Sequence, residues 1–195
     1  MALDYLFLIR HGDTKANEQG INAGPLDFPL SKKGKKEIEF EAKTLSKMKI
    51  SSAYSSPVFR AVETAKILAR PHKLEVKVLE DLTEAKFKTK FVGKKGREHI
   101  LTTPDAFEET YQEMQDRVVK AVEGIAKKES GNAIAVSHGD VITGYLHHVV
   151  ERKIGSRNRY YVLHPDPGAL SVIDFKEDIP KLVLFNYHRR LFEKF

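Results

Sequence analysis

The sequence YLFLIRHGD (residues 5–13) places an apolar run directly before an Arg-His-Gly-Asp turn, and the chain repeats this arrangement as IAVSHGD (residues 134–140). A short continuous apolar run of this kind is typical of a strand that is buried on both faces of a sheet. Glycine shortly after the run permits a tight turn. The tripeptide His-Gly-Asp therefore follows two predicted buried strands, at residues 11–13 and at residues 138–140.

Helical and strand patterns alternate along the rest of the chain. Ser31 is the predicted N-cap of one helix, and Ser56 is that of another, with Pro57 in its first turn. Leu74, Val76 and Val78 alternate with polar residues, which predicts a strand near a sheet edge. The other predicted elements are helices within 31–48, 56–69, 104–128 and 140–151 and strands at 169–175 and 181–188. This alternation predicts an α/β sandwich around a largely parallel sheet, with ligands at the carboxyl ends of the strands.

The bulk composition favours one cytoplasmic domain spanning residues 1–195. A hydrophobic content of 41% is enough for a core. No apolar run approaches the roughly 20 residues needed to cross a bilayer. The N-terminus lacks the pattern of a secretory signal. The absence of cysteine excludes disulfides, thiolate nucleophiles and cysteine-ligated zinc. The net charge of +6 suits an anionic substrate, but the basic residues are not interleaved with aromatics, so we expect neither nucleic acid nor membrane as a partner.

One segment, AKFKTKFVGKKGREHILTT (residues 85–103), breaks the regular pattern because it is basic, contains two glycines and has no clean period. We expect this basic lid segment to form a long surface loop or lid. Its basic residues are Lys86, Lys88, Lys90, Lys94, Lys95 and Arg97. They either attract a second anionic group of a substrate or simply keep a loop solvated.

The doubled tripeptide has three interpretations. Two histidines and two aspartates can form a dinuclear metal site, but the guanidinium of Arg10 is a poor neighbour for a divalent cation. In a purely structural interpretation, each glycine makes a turn and each histidine satisfies a backbone carbonyl. The third interpretation is phosphoryl transfer, in which neutral imidazole attacks phosphorus and forms a phosphohistidine. Two His-Gly turns at matching strand ends, one beside Arg10, favour the third.

Phosphoryl transfer needs cations and donors around the phosphoryl oxygens. Arg10 offers a bidentate fork, Arg60 a second fork at the start of a helix, and His138 a further donor. A leaving alkoxide also needs a proton, and an attacking water must lose one; a carboxyl group can do both in turn. The candidate carboxyl groups follow the strand at 74–79, and the spacing does not separate Glu80, Asp81 and Glu84.

These motifs resemble the signature of the histidine phosphatase superfamily, which is also called the phosphoglycerate mutase-like superfamily. LIRHGDTKAN resembles its Arg-His-Gly motif, and NAGPLDFPLSKKG, SSPVFRAVETA, LTE and VSHGD follow in the family's order and spacing between residue 3 and about residue 145. The resemblance implies a three-layer α/β/α sandwich with a mostly parallel central sheet, usually with one antiparallel edge strand. It also implies that the helix near 104–128 and the lid cover the site.

The resemblance implies a role for each matching residue. His11 becomes the nucleophile, and Glu84, at the Leu-x-Glu position, becomes the proton donor. The residues that bind the phosphoryl group become Arg10, Arg60 and His138, and further phosphate or substrate contacts fall at Asn17, Gly24 and Gly139. Neither Asp13 nor Asp140 is expected to be catalytic, and each is interpreted as a turn or cap residue.

Departures from the family pattern bear on the substrate. Mutases of the family usually follow Leu-x-Glu with a Glu-Arg-His-Tyr-Gly-like run, where this chain reads AKFKTKFVGKKG. We therefore expect a phosphatase that acts on a small phosphorylated substrate without metal or cofactor, with a homodimer as the candidate assembly. The alternatives are a cofactor-dependent phosphoglycerate mutase, a phosphoprotein phosphatase and a non-catalytic phosphate-binding module.

Overall fold

The computed structural model describes residues 3–96, 105–151 and 163–188. The strands are β1 (Leu3–Arg10), β2 (Ile50–Ser55), β3 (Val76–Val78), β4 (Gly131–Ser137), β5 (Leu170–Asp174) and β6 (Lys181–Tyr187). They form one sheet with the order β3-β2-β4-β1-β5-β6. The two predicted buried strands, β1 and β4, lie side by side at its centre, and β3 lies at one edge as its alternating pattern predicted.

The helices are α1 (Lys15–Glu18), α2 (Lys32–Leu45), α3 (Phe59–Ala69), α4 (Tyr111–Lys128) and α5 (Gly139–Glu151). The predicted cap of α2 is confirmed, because the Ser31 hydroxyl accepts a hydrogen bond from the backbone N–H of Gly34 at 3.0 Å. Across the described ranges, no helix has both the length and the apolar character needed to cross a membrane.

The direction of the strands differs in one respect from what the family resemblance implied. The pairs β1–β4, β4–β2 and β2–β3 are parallel, whereas β5 is antiparallel to β1 and β6 is antiparallel to β5. Among the described strands, β5 alone runs against the others. The expected position of the antiparallel strand was wrong, because β6 returns along the outer side of β5 and itself forms the edge.

The alternation of side chains along β1 divides the core into two layers. Leu6 and Leu8 belong to the apolar cluster that contains α4 and α5, and Phe7 and Ile9 belong to the cluster that contains α2 and α3. The buried helix side chains include Met114, Val118, Val122, Ile142 and Leu146 in the first cluster and Ile38, Leu45, Ala65 and Leu68 in the second. Since a strand's side chains alternate between its faces, helices cover both faces, and the predicted three-layer α/β/α sandwich is confirmed.

Helix α4 begins at Tyr111, whereas the apolar stripe in the sequence, which begins at Phe107, predicts a helix within 104–128. The Thr110 hydroxyl accepts from the backbone N–H of Glu113 at 3.1 Å, and the Glu113 carboxylate accepts from the backbone N–H of Thr110 at 2.7 Å. The bond from Thr110 lowers the pKa of Glu113. This capping box fixes the helix start, and Phe107 lies before it, with its ring 4.6 Å from that of Phe87 between centroids.

The predicted cap of α3 was also wrong. The helix begins at Phe59, and its N-cap is Val58, which makes no side-chain capping bond. Ser56 and Pro57 both precede the helix. The Ser56 hydroxyl accepts from the backbone N–H of Val58 at 3.2 Å, but its main contact lies in the candidate site.

The described part of the basic lid segment, residues 85–96, lies against the loop at residues 20–24. The backbone N–H of Asn22 donates to the carbonyl of Lys94 at 2.8 Å, and the N–H of Gly93 donates to the carbonyl of Asn22 at 2.8 Å. Ala85 and Phe87 are buried, so the segment contributes to the core as well as to the surface. The rest of the predicted lid, residues 97–103, lies outside the described residues.

Gly34 allows α2 to approach the turn after β1. A Cβ atom at Gly34 would lie 2.2 Å from the carbonyl oxygen of Asp13, which also accepts from the backbone N–H of Ser31 at 2.8 Å. We therefore expect Gly34→Ala to lower the free energy of unfolding by about 1–3 kcal/mol, measured by urea denaturation. A Cβ at Gly124 in α4 would meet no heavy atom within 4 Å, so Gly124→Ala should instead raise stability by about 0.5–1 kcal/mol. Equal effects of the two substitutions would contradict this interpretation.

Candidate active site

The candidate site lies where β1 and β4 end. Arg10 is paired with Ser137 in the parallel register of these strands, and the backbone N–H of His11 donates to the Ser137 carbonyl at 2.9 Å. The next residues, His11 and His138, therefore lie side by side, with ring centroids 5.2 Å apart. Both rings are buried.

The hydrogen bond of His11 determines which of its ring nitrogens carries a proton. Nδ1 lies 2.9 Å from the carbonyl oxygen of Gly12, and a carbonyl only accepts, so Nδ1 is the donor. In the neutral ring, the lone pair is therefore on Nε2. The turn is itself held, since the backbone N–H of Gly12 donates to the Thr64 hydroxyl at 3.0 Å and that hydroxyl donates to the Arg60 carbonyl at 2.8 Å.

His138 has the opposite tautomer. A guanidinium N–H of Arg60 donates to its Nδ1 at 3.2 Å, so Nε2 carries the proton of the neutral ring and donates to the Ser56 hydroxyl at 2.7 Å. Ser56 is thus a site residue that the sequence assigned to a helix cap. Both functions suit a serine after a strand, and no local pattern separates them.

Arg60 is 1% exposed, and backbone carbonyls hold its guanidinium. It donates to the carbonyl of Gly24 at 2.9 Å and to that of Leu26 at 3.2 Å. Gly24 has φ +50°, and a Cβ there would lie 3.1 Å from Val92. The predicted role of Gly24 as a substrate contact stays a prediction, and its observed contact is with Arg60.

Glu84 is the carboxyl group that reaches the two histidines. One of its oxygens accepts from the backbone N–H of Ala85 at 3.0 Å, and the other lies 3.5 Å from Arg60 and 3.6 Å from Nδ1 of His138. Glu80 and Asp81 instead line a cavity of 340 Å³ against α4. The structure thereby separates the three candidates that spacing left open.

Arg10, the last residue of β1, is held by residues that follow α5 in the chain. Its Nη1 donates to the Pro165 carbonyl at 2.7 Å and to Nδ1 of His164 at 3.5 Å, and Nε2 of His164 lies 3.3 Å from a carboxylate oxygen of Asp140. Asp140 is buried in the first turn of α5, where it faces a histidine that the sequence did not identify. His164 and Arg10 are too far apart in the chain for any local pattern to connect them.

The predicted phosphate contact Asn17 has a structural partner. The side-chain oxygen of Asn17 accepts from the backbone N–H of Thr14 at 3.1 Å in the capping box of α1, which leaves its amide NH₂ as the end suited to an anion. Asp13, which is not among the predicted contacts, accepts from the Ser31 hydroxyl at 3.0 Å, in keeping with its expected place in the turn.

The charges of the site suit an anion. Two guanidinium groups and two imidazoles surround one carboxyl group, and all are buried. The ligand atoms of His11, Glu84 and His138 lie within 4.8 Å of one another and can in principle hold a cation. Arg60, however, lies 3.5 Å from the Glu84 oxygen, which is a position where its positive charge opposes a metal and attracts a phosphate.

Comparison with known proteins identifies the family. The chain matches the model of the histidine phosphatase superfamily, branch 1, over residues 6–188. It is 32% identical to the 2,3-bisphosphoglycerate-dependent phosphoglycerate mutase of Thermoplasma acidophilum, over 86% of this chain and 85% of that protein. It is 30% identical to the metal-independent phosphoserine phosphatase of Arabidopsis thaliana, over 70% of this chain and 65% of that protein.

Solved structures show the same fold. The phosphoserine phosphatase of Entamoeba histolytica in complex with 3-phosphoglyceric acid has a TM-score of 0.81 at 24% identity, covering 96% of this chain and 98% of that one. The chain therefore belongs to the histidine phosphatase superfamily, branch 1, and the resemblance found in the motifs is confirmed. Membership makes it an enzyme of this superfamily and supports phosphatase activity.

Gly139 controls how closely α5 approaches Arg10. A Cβ atom there would lie 2.4 Å from Nε2 of His164 and 3.2 Å from Cζ of Arg10. We expect Gly139→Ala to displace the guanidinium and to weaken inhibition by vanadate, a phosphate mimic, by about tenfold or more, since a hydrogen bond to a charged group contributes about 1.5–3 kcal/mol. The inhibition constant measures this.

The matched control is Gly144→Ala on the same helix, where the new Cβ would first meet the flexible end of Met114 at 3.1 Å. Vanadate inhibition should be unchanged in this variant. Unchanged inhibition in Gly139→Ala as well would show that Arg10 does not contribute to anion binding through this packing.

Proposed function

We propose that this protein is a metal-independent phosphomonoester phosphatase that acts through a covalent phosphohistidine on His11. The observation that carries the proposal is the hydrogen bond from Nδ1 of His11 to the Gly12 carbonyl. It leaves the lone pair on Nε2, in a buried pocket that also contains two guanidinium groups. A neutral imidazole held in this way is a competent nucleophile near pH 7.

The first half-reaction transfers the phosphoryl group to the protein. Nε2 of His11 attacks phosphorus, the P–N bond forms and the P–O bond to the leaving group breaks. Arg10 and Arg60 neutralise the charge on the phosphoryl oxygens, which is the main contribution of a protein to this chemistry. His138 orients the second of these guanidinium groups, because its Nδ1 accepts from Arg60 at 3.2 Å.

Glu84 supplies and then recovers one proton. As a carboxylic acid it donates that proton to the departing alkoxide, so that an alcohol leaves. In the second half-reaction the resulting carboxylate takes a proton from water, whose oxygen attacks phosphorus and breaks the P–N bond. Inorganic phosphate leaves, and both His11 and Glu84 return to their starting states.

A small phosphorylated substrate is the class that the relatives' names support, since they include phosphoserine phosphatases and a phosphoglycerate mutase. The described lysines of the lid do not favour a second anion site. Lys88 forms an ion pair with Asp105, Lys90 lies over the ring of Phe91, and Lys86, Lys94 and Lys95 are exposed. This pattern favours the interpretation that they solvate the loop.

The role of His11 can be tested directly. His11→Ala should abolish hydrolysis of p-nitrophenyl phosphate, and acid quenching of the unaltered protein with labelled substrate should trap an acid-labile phosphoenzyme that this variant lacks. Treatment with EDTA should leave the rate of the unaltered protein unchanged, because the guanidinium groups supply the positive charge. Turnover by His11→Ala, or loss of activity in EDTA that added metal restores, would overturn the proposal.

The second candidate is a phosphoglycerate mutase, which the Thermoplasma acidophilum relative supports. A mutase returns the phosphoryl group from the histidine to a sugar acid, whereas a phosphatase gives it to water. We expect phosphate release from 3-phosphoglycerate or phosphoserine to exceed isomerisation of 3-phosphoglycerate, even with 2,3-bisphosphoglycerate present. Isomerisation faster than hydrolysis would reverse this ranking, and both reactions can be followed by phosphorus NMR.

A further inference from the structure

The guanidinium of Arg117 in α4 uses every N–H that it has. Its Nε–H and one Nη2–H donate to the two carboxylate oxygens of Glu109, at 2.9 and 2.8 Å. The remaining bonds run to backbone carbonyls, namely Asp81 at 2.9 Å, Thr83 at 2.8 Å and Glu84 at 3.2 Å. The side chains of Arg117 and Glu109 are 13% and 8% exposed, so the pair is largely removed from water.

The three carbonyls belong to the loop that carries Glu84. The carbonyl between them, that of Leu82, accepts from the Ser137 hydroxyl at 2.7 Å. Four consecutive carbonyls, from residue 81 to residue 84, therefore have side-chain donors, and three of those bonds come from one guanidinium. The loop is thus fixed between α4 on one side and the end of β4 on the other.

Glu109 binds the backbone on the other side of Glu84. Its carboxylate accepts from the backbone N–H of Lys86 at 2.8 Å while it receives the two N–H groups of Arg117. The ion pair consequently binds backbone groups both before and after Ala85, whose own N–H donates to the Glu84 carboxylate at 3.0 Å. The backbone around the Glu84 carboxyl is therefore held in one arrangement.

We propose that Arg117, with Glu109, is a positioning residue that holds Glu84 at the distance from the leaving group that proton donation requires. This inference rests on the proposed function, in which Glu84 is the acid. Arg117 touches no reacting atom, and its contacts act only through the Glu84 loop. A lysine cannot replace it, because an ammonium is a point charge and lacks the planar fork that these five hydrogen bonds need.

The rate of phosphoryl transfer depends more strongly on the proton from Glu84 when the leaving group is more basic. An alkoxide leaves slowly without protonation, whereas p-nitrophenolate is weakly basic and leaves without it. A displaced Glu84 should therefore slow alkyl phosphates selectively, and binding of the phosphoryl group should be retained. A general loss of folding or of phosphate binding would slow both substrates alike.

The experiment compares Arg117→Lys, Glu109→Gln and Glu84→Gln with the unaltered full-length protein. It measures kcat/KM, which reports the steps up to phosphoryl transfer, for glycerol 2-phosphate and for p-nitrophenyl phosphate, together with vanadate inhibition and thermal unfolding. Lys127→Gln is the control, since it breaks an exposed ion pair to Glu123 on the same helix and should leave every readout unchanged.

We expect Glu84→Gln to lower kcat/KM for the alkyl ester by about 10²–10⁴-fold, the usual contribution of a general acid, with a much smaller loss on p-nitrophenyl phosphate. Arg117→Lys should show the same selectivity with a smaller loss, and vanadate inhibition should be retained. Equal losses on both substrates in Arg117→Lys, beside a selective loss in Glu84→Gln, would overturn the inference and leave the proposed function standing.

Equal losses of kcat/KM on both substrates in Glu84→Gln would instead overturn the assignment of Glu84 as the acid, and the inference with it. Should Arg117→Lys fail to fold, Glu109→Gln allows the same comparison of kcat/KM between the two substrates. It keeps the guanidinium and its carbonyl bonds but weakens the partner that orients them. A selective loss in that variant supports the inference, and an equal loss on both substrates contradicts it.

Discussion

The parallel pairing of β1 with β4 is the constraint on which the rest of the site depends. Because Arg10 lies opposite Ser137 in the register of these strands, the residues that follow, His11 and His138, come side by side at one edge of the sheet. A shift of one residue would send the side chains of either strand to the opposite face. The alternating burial of β1 in two separate apolar layers prevents that shift, so the same packing that stabilises the fold also sets the distance between the rings.

Burial of positive charge explains the paths of the surrounding loops. An arginine removed from water needs partners for its N–H groups, because an unpaired buried charge is strongly destabilising. Backbone carbonyls meet that need here: Pro165 for Arg10, Gly24 and Leu26 for Arg60, and three residues of the Glu84 loop for Arg117. Carbonyls of this kind fix the direction of a guanidinium without neutralising its charge, which leaves Arg10 and Arg60 suited to an anion.

Much of this fold could be predicted because its signals are local. The apolar runs of β1 and β4, the cap at Ser31 and the helical stripe through Met114, Val118 and Val122 each depend on neighbours within a few residues. The two failed cap and helix-start predictions have different causes. Phe107 continues the spacing of the stripe but lies before the capping box of Thr110, which is a local signal. Ser56 has the sequence context of a cap, but its hydroxyl hydrogen bonds to His138 in a distant element.

The sequence by itself determined the types of the elements, the residues at the ends of the two central strands and, through its motifs, the family. Among the three carboxyl groups that spacing left open, the family motif implied Glu84, and the structure brings it to the histidines. Tertiary structure alone decided which nitrogen of each imidazole carries the proton, and that His164 and Arg117 support Arg10 and the Glu84 loop. The physical reason is that periodicity and capping act over a few residues. Hydrogen bonds such as those of Arg117 instead depend on where distant, aperiodic loops bring their carbonyl groups, and no local pattern encodes that.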